Sequence, residues 1–193
     1  MEEGTLRRFI FLLIFGFLFI SSALVFADGR NSFAVAAGGV WPENIDPTWY
    51  VTASLRWHLE DNWAVEPDFG YWKQNEAQTL HLKRGDLVYS LRDIHAGGNF
   101  LFMGTWGDVG MYAGGGAAAH WRKRETSQEV QPPENHPDLE ETRLGLQIVF
   151  GVDFDLTQSL DLTAGIRDDF IFRGDLDTLT VFKAYAGLRF MFD

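Results

Sequence analysis

Apolar and polar residues alternate along most of the chain from Ser32 onward, and the last stretch shows this most clearly. Between Thr180 and Phe192, every second residue from Phe182 is apolar, while Lys183 and Arg189 lie between them. A period of two is typical of a β-strand whose two faces meet different surroundings. This stretch therefore predicts a strand with one apolar face and one charged face.

The same alternation predicts seven further strands, separated by turns and loops. They cover Ser32–Trp41, Thr48–Leu59, Trp63–Tyr71, Leu87–Phe102, Val109–Trp121, Leu144–Phe154 and Leu160–Asp169. Short turns are expected near residues 61, 105 and 157, and longer loops near 44 and 175, at 74–85 and at 122–142. The chain is thus predicted to form eight up-and-down strands.

Two architectures fit eight such strands. Short turns that alternate with longer loops are typical of a small outer-membrane barrel, and each apolar face approaches the ~9–11 residues that a tilted strand needs to cross a bilayer. Aromatic residues gather towards the strand ends, as in interfacial girdles; they are Trp41, Trp49, Trp57, Trp63, Trp121, Phe170 and Phe192. The alternative is a soluble, lipocalin-like barrel with an apolar interior. The pattern favours an all-β, eight-stranded antiparallel up-and-down transmembrane β-barrel.

The alternation of apolar and polar residues changes phase just after Leu87. This change predicts a bulge there, or an extension of the strand beyond the membrane.

The N-terminal segment predicts export. Arg7 and Arg8 precede an apolar run from Phe9 to Ile20, and small residues at Val25 and Ala27 suit cleavage by signal peptidase. We expect a signal peptide at 1–27 and a barrel domain at 28–193, located in the cell outer membrane. The alternative is an uncleaved anchor, because the segment from Phe9 to Phe26 holds no charge and is ~18 residues long, the lower limit for a spanning helix.

Composition narrows the function classes. The chain has 193 residues, no cysteine and a formal net charge of -11. This length suits one domain, and the lack of cysteine excludes a disulfide framework. An acidic balance argues against nucleic acid as a partner, because binding a phosphate backbone requires clustered Lys and Arg.

The polar faces of the predicted strands carry charges of both signs. Mixed charges interleaved with glycine and alanine suit a narrow, packed lumen better than a solvated surface, and an eight-stranded barrel is just wide enough to be filled by side chains. We expect a structural network of lumen ion pairs and no continuous pore. Its predicted members are Arg56, Glu66, Asp68, Asp93, Arg143, Asp161, Arg167, Asp169, Lys183 and Arg189.

Three histidines share the predicted lumen phase and raise the question of a metal or acid–base site. They are His58, His95 and His120, and Asp93 lies on the same face as His95. Their spacing contains no HxH or HxxE pair that would support a shared set of ligands, so scattered histidines in a polar network are the favoured interpretation. No metal, cofactor or catalytic residue is predicted.

The hairpin "LEDNWAVE" and the closing "AYAGLRFMF" make the chain resemble the superfamily of small eight-stranded outer-membrane β-barrels, which contains the transmembrane domain of outer membrane protein A. The resemblance covers the whole predicted mature chain and specifies architecture rather than activity. It implies outer-membrane lipid as the surroundings, the barrel-assembly machinery as a partner, and a monomer.

Two functions are consistent with this reading. In the first, the protein is a non-enzymatic, porin-like envelope barrel, and the external loop at 122–142 contacts the environment or a partner. In the second, it is a lipid-modifying or small-solute-binding barrel. The lipid A deacylase family has an Arg, a His and a Ser on its penultimate strand, whereas the stretch here keeps Arg167 but has Phe170 and Phe172 where His and Ser would be needed. The first function is therefore the prediction.

Overall fold

Eight strands form one closed antiparallel barrel. The computed structural model describes residues 31–43, 45–82, 85–127, 139–174 and 177–192. Each strand pairs with its neighbours along the chain, and β1 closes the barrel against β8. The strands are β1 Asn31–Pro42, β2 Thr48–Glu60, β3 Trp63–Leu82, β4 Gly85–Trp106, β5 Val109–Ser127, β6 Leu139–Thr157, β7 Leu160–Gly174 and β8 Asp177–Phe192. The predicted all-β, up-and-down barrel is confirmed, while the predicted signal peptide at 1–27 lies outside the described residues.

One end of the barrel, here called the turn end, carries the short connections. Two-residue turns at Asp61–Asn62, Gly107–Asp108 and Gln158–Ser159 join β2 to β3, β4 to β5 and β6 to β7. Gly107 has a φ of 62°, a backbone conformation that a residue with a Cβ rarely adopts and that tight hairpins require. The chain also enters and leaves the barrel here, because Asn31 pairs with Phe192.

The opposite end, here called the hairpin end, is built from long strands. The prediction of a loop at 74–85 is wrong. β3 continues to Leu82 and β4 starts at Gly85. The pairing shifts register between Gln74 and Gln78, so the bulge expected near Leu87 lies in the partner strand. The sequence of this extension is largely polar, so apolar alternation did not predict its strands, which pair through backbone hydrogen bonds.

The predicted loop at 122–142 is also shorter than expected. Arg122 to Ser127 belong to β5 and Leu139 to Thr142 belong to β6, and Arg122 pairs with Glu141 in the register. Residues 128–138 of that predicted loop lie outside the described residues. The opposite charges at its two ends explain the extension, because they face each other across the two strands.

The outward face is apolar. Large side chains that are more than a third exposed lie on every strand, among them Phe33 on β1, Leu144 on β6 and Phe190 on β8. Neighbouring rings form contacts along this face, such as Trp63 with Phe100 at 4.9 Å between centroids. Such a surface suits lipid and not water.

Among the described residues, no helix is long and apolar enough to cross a membrane.

Candidate functional site: the charged lumen

The inward-facing positions of seven strands place charged side chains inside the barrel. Nine of the ten residues predicted for the lumen network are at most 6 % exposed. They fall into two groups, one nearer the turn end and one nearer the hairpin end, here called the lower and upper layers. The exception among the ten is Arg143.

The lower layer is a four-membered ring of charges. Arg56 contacts Glu66 through its Nε and Asp153 through its Nη1, each at 2.7 Å. Arg189 contacts the same two carboxylates, Glu66 at 3.1 Å and Asp153 at 3.3 Å. Two guanidinium groups thus meet two carboxylates, and the ring is neutral. The Arg56 guanidinium also lies over the Tyr112 ring, 4.2 Å from its centroid, a favourable cation–π position.

Asp68 forms the lower part of the upper layer. Its carboxylate accepts hydrogen bonds from Arg167 and from the Asn99 side-chain amide at 3.2 Å, and it lies 3.0 Å from the His95 Nε2. Lys183 pairs with Asp169, and its ammonium lies 3.4 Å from the His95 Nδ1. Both nitrogens of His95 therefore have polar neighbours.

The remainder of the upper layer surrounds His120. Its Nδ1 is 3.1 Å from Asp93, and its Nε2 is 3.9 Å from Asp169. Arg122 lies 3.3 Å from Asp93. The whole upper layer contains three cations, Arg122, Arg167 and Lys183, and three carboxylates, Asp68, Asp93 and Asp169. Its charges therefore also balance when its histidines are neutral.

A metal ion does not fit this layer, although three potential ligands converge. One donor atom each from Asp93, His95 and His120 lies within 4.8 Å of the others. However, Arg167 is 3.2 Å from one His95 nitrogen and Lys183 is 3.4 Å from the other. A divalent cation would add two uncompensated charges to a balanced, buried group, which is unfavourable in a low-dielectric interior. His58 is not part of this cluster, because it pairs with Ala64 on β3 near the turn end.

Apolar side chains close the lumen beyond the upper layer. Val40, Tyr50, Trp72, Leu91, Ile171, Leu179 and Val181 form a buried cluster near the hairpin end, here called the apolar plug. Trp72, its largest member, is 0 % exposed. Tyr50 connects the plug to the charges, because its ring stacks on His95 at 5.9 Å and lies 4.8 Å from the Lys183 ammonium.

A small cavity lies between the two layers. An enclosed cavity of about 10 Å³ is lined by Glu66 and Arg189 of the lower layer, by Arg167 of the upper layer and by Tyr185. Such a volume holds about one water molecule. A second apolar cluster of Ala64, Leu101, Tyr112 and Val149 fills the turn-end half beside the lower layer. Side chains thus occupy both halves of the described lumen.

Two of the ten predicted residues lie at the edges of the two layers. Arg143 is about a third exposed and contacts Glu141 at 2.9 Å, and Glu141 lies 3.6 Å from Arg122 of the upper layer. Arg143 also lies opposite His120 in the strand register, so it borders the upper layer. Asp161 is buried and lies opposite Arg189 in the strand register, beside the lower layer.

The sequence interpretation missed two members of the network. Asp153 bridges both arginines of the lower layer, and Arg122 contacts Asp93 in the upper layer. The alternation of apolar and polar residues along β6 predicts that Asp153 points inward. Arg122 carried no such signal, because it belongs to the segment predicted as a loop.

The arrangement also bears on catalysis. The histidine–carboxylate pairs at His95 and His120 resemble acid–base pairs, but both rings are 0 % exposed and lie among paired charges. Phe172, on the strand where the deacylase family carries its nucleophile, is 46 % exposed on the lipid-facing side. A substrate reaching the outward face would thus not meet these groups.

Comparisons with known proteins agree with the fold. Residues 13–190 match the sequence model of the outer membrane protein beta-barrel domain. Neisserial surface protein A is 19% identical with a TM-score of 0.55, and the alignment covers 86% of this chain and 98% of that one. A major outer membrane protein from Thermus thermophilus is 12% identical with a TM-score of 0.62, covering 85% and 100%. Ail of Yersinia pestis, solved with the heparin analogue sucrose octasulfate, is 13% identical with a TM-score of 0.53, covering 84% and 97%. Among curated proteins none matches this chain.

Proposed function

Because the chain belongs to the outer membrane protein beta-barrel domain family, we propose that it is a non-enzymatic, non-conducting barrel whose role lies in the envelope and at its external hairpins. The observation that carries this proposal is the lumen, where two neutral layers of buried ion pairs lie beneath an apolar plug. A channel needs a hydrated path, and an enzyme needs a group that a substrate can reach. Paired charges and apolar side chains occupy the described lumen, which supports a closed, non-enzymatic barrel.

The proposal includes the route and orientation of the protein. The segment 1–27 acts as a cleaved signal peptide, the barrel-assembly machinery inserts the exported chain, and the barrel remains a monomer in outer-membrane lipid. The turn end faces the periplasm and the hairpin end faces outward, since barrels of this class have short periplasmic turns and longer external loops. The predicted external loop at 122–142, whose ends continue β5 and β6, is then the part that partners meet.

Conductance and lipid hydrolysis provide the direct tests. We expect purified, refolded protein in a planar bilayer to produce no stable conductance steps in concentrated KCl. We also expect no acyl chains to be released from lipopolysaccharide, as followed by mass spectrometry. Reproducible steps at the single-protein level would refute the closed lumen, and released fatty acid would refute the non-enzymatic role.

A variant of the plug strengthens the conductance test. Trp72→Ala removes the largest side chain of the apolar plug but leaves both ion-pair layers in place. We expect this variant to remain silent, because the layers below still occlude the lumen. If Trp72→Ala conducted while the wild type did not, the plug alone would be the barrier and the ion-pair layers would not close the barrel.

A further inference from the structure

Three cations lie side by side on the outward face at the hairpin end. Lys73 on β3 is directly opposite Arg92 on β4, and Arg92 is directly opposite Lys123 on β5. The residues next to them along the strands, Trp72 and Asp93 among them, are buried in the lumen. Adjacent residues of a strand face opposite sides, so the three cations point outward. Directly opposed side chains lie about 5 Å apart at their Cβ atoms, so the three form a continuous row, here called the cation row.

The cation row is not a device for stability. Like charges directly opposite each other destabilise a sheet. Among the described residues, the opposite charge in the same register is Glu140 on β6, which lies 3.5 Å from Lys123 and is itself 64 % exposed. One carboxylate against three cations leaves a net charge of +2 on the row, in a chain whose overall charge is -11.

The row lies at the border of the lipid-facing surface. Two residues closer to the turn end, the same three strands carry Tyr71, Ile94 and Trp121 in one register. The Tyr71 ring contacts Trp49, with centroids 5.3 Å apart. Aromatic rings at this position mark the depth of the lipid headgroups. The cations therefore lie about 7 Å along the strands beyond the aromatic residues, at the level of the headgroups.

A shallow strip of small residues runs from the row towards the membrane centre. Ala96 and Gly98 on β4 lie opposite Ala119 and Ala117 on β5, all on the outward face. Larger side chains border the strip on both sides and at its turn-end limit. They are Phe69 on β3, Leu144 and Leu146 on β6, and Phe100 on β4, which are all about half exposed or more. A strip of small side chains two strands wide, bordered by larger ones, suits extended hydrocarbon chains.

We propose that this face binds one phosphorylated glycolipid of the external leaflet, with its phosphates on the cation row and its acyl chains along the strip of small residues. The Arg92 guanidinium presents paired N–H groups to a phosphate, and Lys73 and Lys123 add point charges on either side. The net charge of +2 matches a headgroup with two phosphates better than one with a single phosphate. This inference rests on the proposed orientation, in which the hairpin end is external.

The test is binding of purified bisphosphoryl lipid A to the refolded full-length protein in a zwitterionic detergent, measured by native mass spectrometry and by titration of intrinsic fluorescence. We expect the triple variant K73Q/R92Q/K123Q to bind at least tenfold more weakly than the wild type. The matched control is R143Q, a partly exposed cation at the same end but on the inward face. It should bind within twofold of the wild type. Equal affinity for the triple variant and the wild type would overturn the proposal.

Further measurements distinguish binding of the lipid from binding of other anions. Monophosphoryl lipid A should bind more weakly than the bisphosphoryl form, and inorganic phosphate at equal concentration should not displace the lipid. Displacement by inorganic phosphate, or equal binding of both lipid forms, would contradict the proposed site. If the triple variant failed to fold on a heat-modifiability gel, R92Q alone should still reduce affinity at least threefold. An unchanged affinity for R92Q would then overturn the proposal. None of these outcomes depends on conductance or hydrolysis, so the inference and the proposed function fail separately.

Discussion

Replacing Arg56 with methionine tests whether the lower layer stabilises the barrel. Arg56 is 1 % exposed and lies 2.7 Å from both Glu66 and Asp153. Each unit charge pair at about 4 Å interacts with about 4 kcal/mol at an effective dielectric constant of about 20, and this attraction offsets the desolvation of the three groups. In Arg56→Met, Arg189 alone must compensate two carboxylates.

We expect Arg56→Met to lower the free energy of unfolding by about 3–5 kcal/mol, the usual result when one partner of a buried pair is removed. The assay is urea-induced unfolding from lipid vesicles, followed by tryptophan fluorescence and by heat-modifiable migration on a gel. Arg143→Met is the control, because its side chain is about a third exposed at the barrel mouth. An exposed pair of this kind contributes about 1 kcal/mol or less.

A second substitution separates charge balance from simple loss of packing. In the double variant with Arg56→Met and Glu66→Gln, Asp153 keeps Arg189 at 3.3 Å and the layer is neutral again. The double variant should therefore be more stable than Arg56→Met alone, with a coupling energy of about 1–3 kcal/mol. Additive losses, or a cost of less than about 1 kcal/mol for Arg56→Met, would refute the reasoning that balanced charge stabilises this layer.

Two further predictions concern the wall of the barrel. A Cβ on Gly116 would lie 2.8 Å from the Asn99 Cα, whereas a Cβ on Gly104 would meet nothing within 4 Å. Gly116→Ala should therefore cost about 1–3 kcal/mol in urea unfolding, Gly104→Ala should be neutral or slightly stabilising, and equal effects would contradict the close strand approach. Trp49 is 52 % exposed and Trp72 is 0 % exposed. In variants that retain a single tryptophan, brominated lipids should quench Trp49 but not Trp72, and the reverse result would show that the two faces are assigned wrongly.

Strand alternation predicted the barrel and most of the inward positions, because a period of two depends only on local sequence. It did not identify partners. Arg56 and Asp153 are 97 positions apart and meet only because the barrel closes with a particular stagger between strands. Alternation also failed at 74–85 and at Arg122, where the strands continue through largely polar sequence. The apolar plug was missed for a related reason, because Tyr50 and Trp72 share the inward face with charges and the alternation carries no information about depth.

Adjacent residues on β5 show how the barrel wall separates two uses of charge. Arg122 points inward to Asp93 in a layer where cations and carboxylates balance, so little net field remains there to attract a ligand. Lys123 points outward into a row that keeps a net charge of +2 after its pair with Glu140. Balanced, buried pairs fill space and hold strands in register, whereas an unbalanced row at the headgroup level gains free energy when an anion arrives. The proposed glycolipid site accordingly lies on the outer surface of β3, β4 and β5, where charge is unbalanced, and not in the lumen.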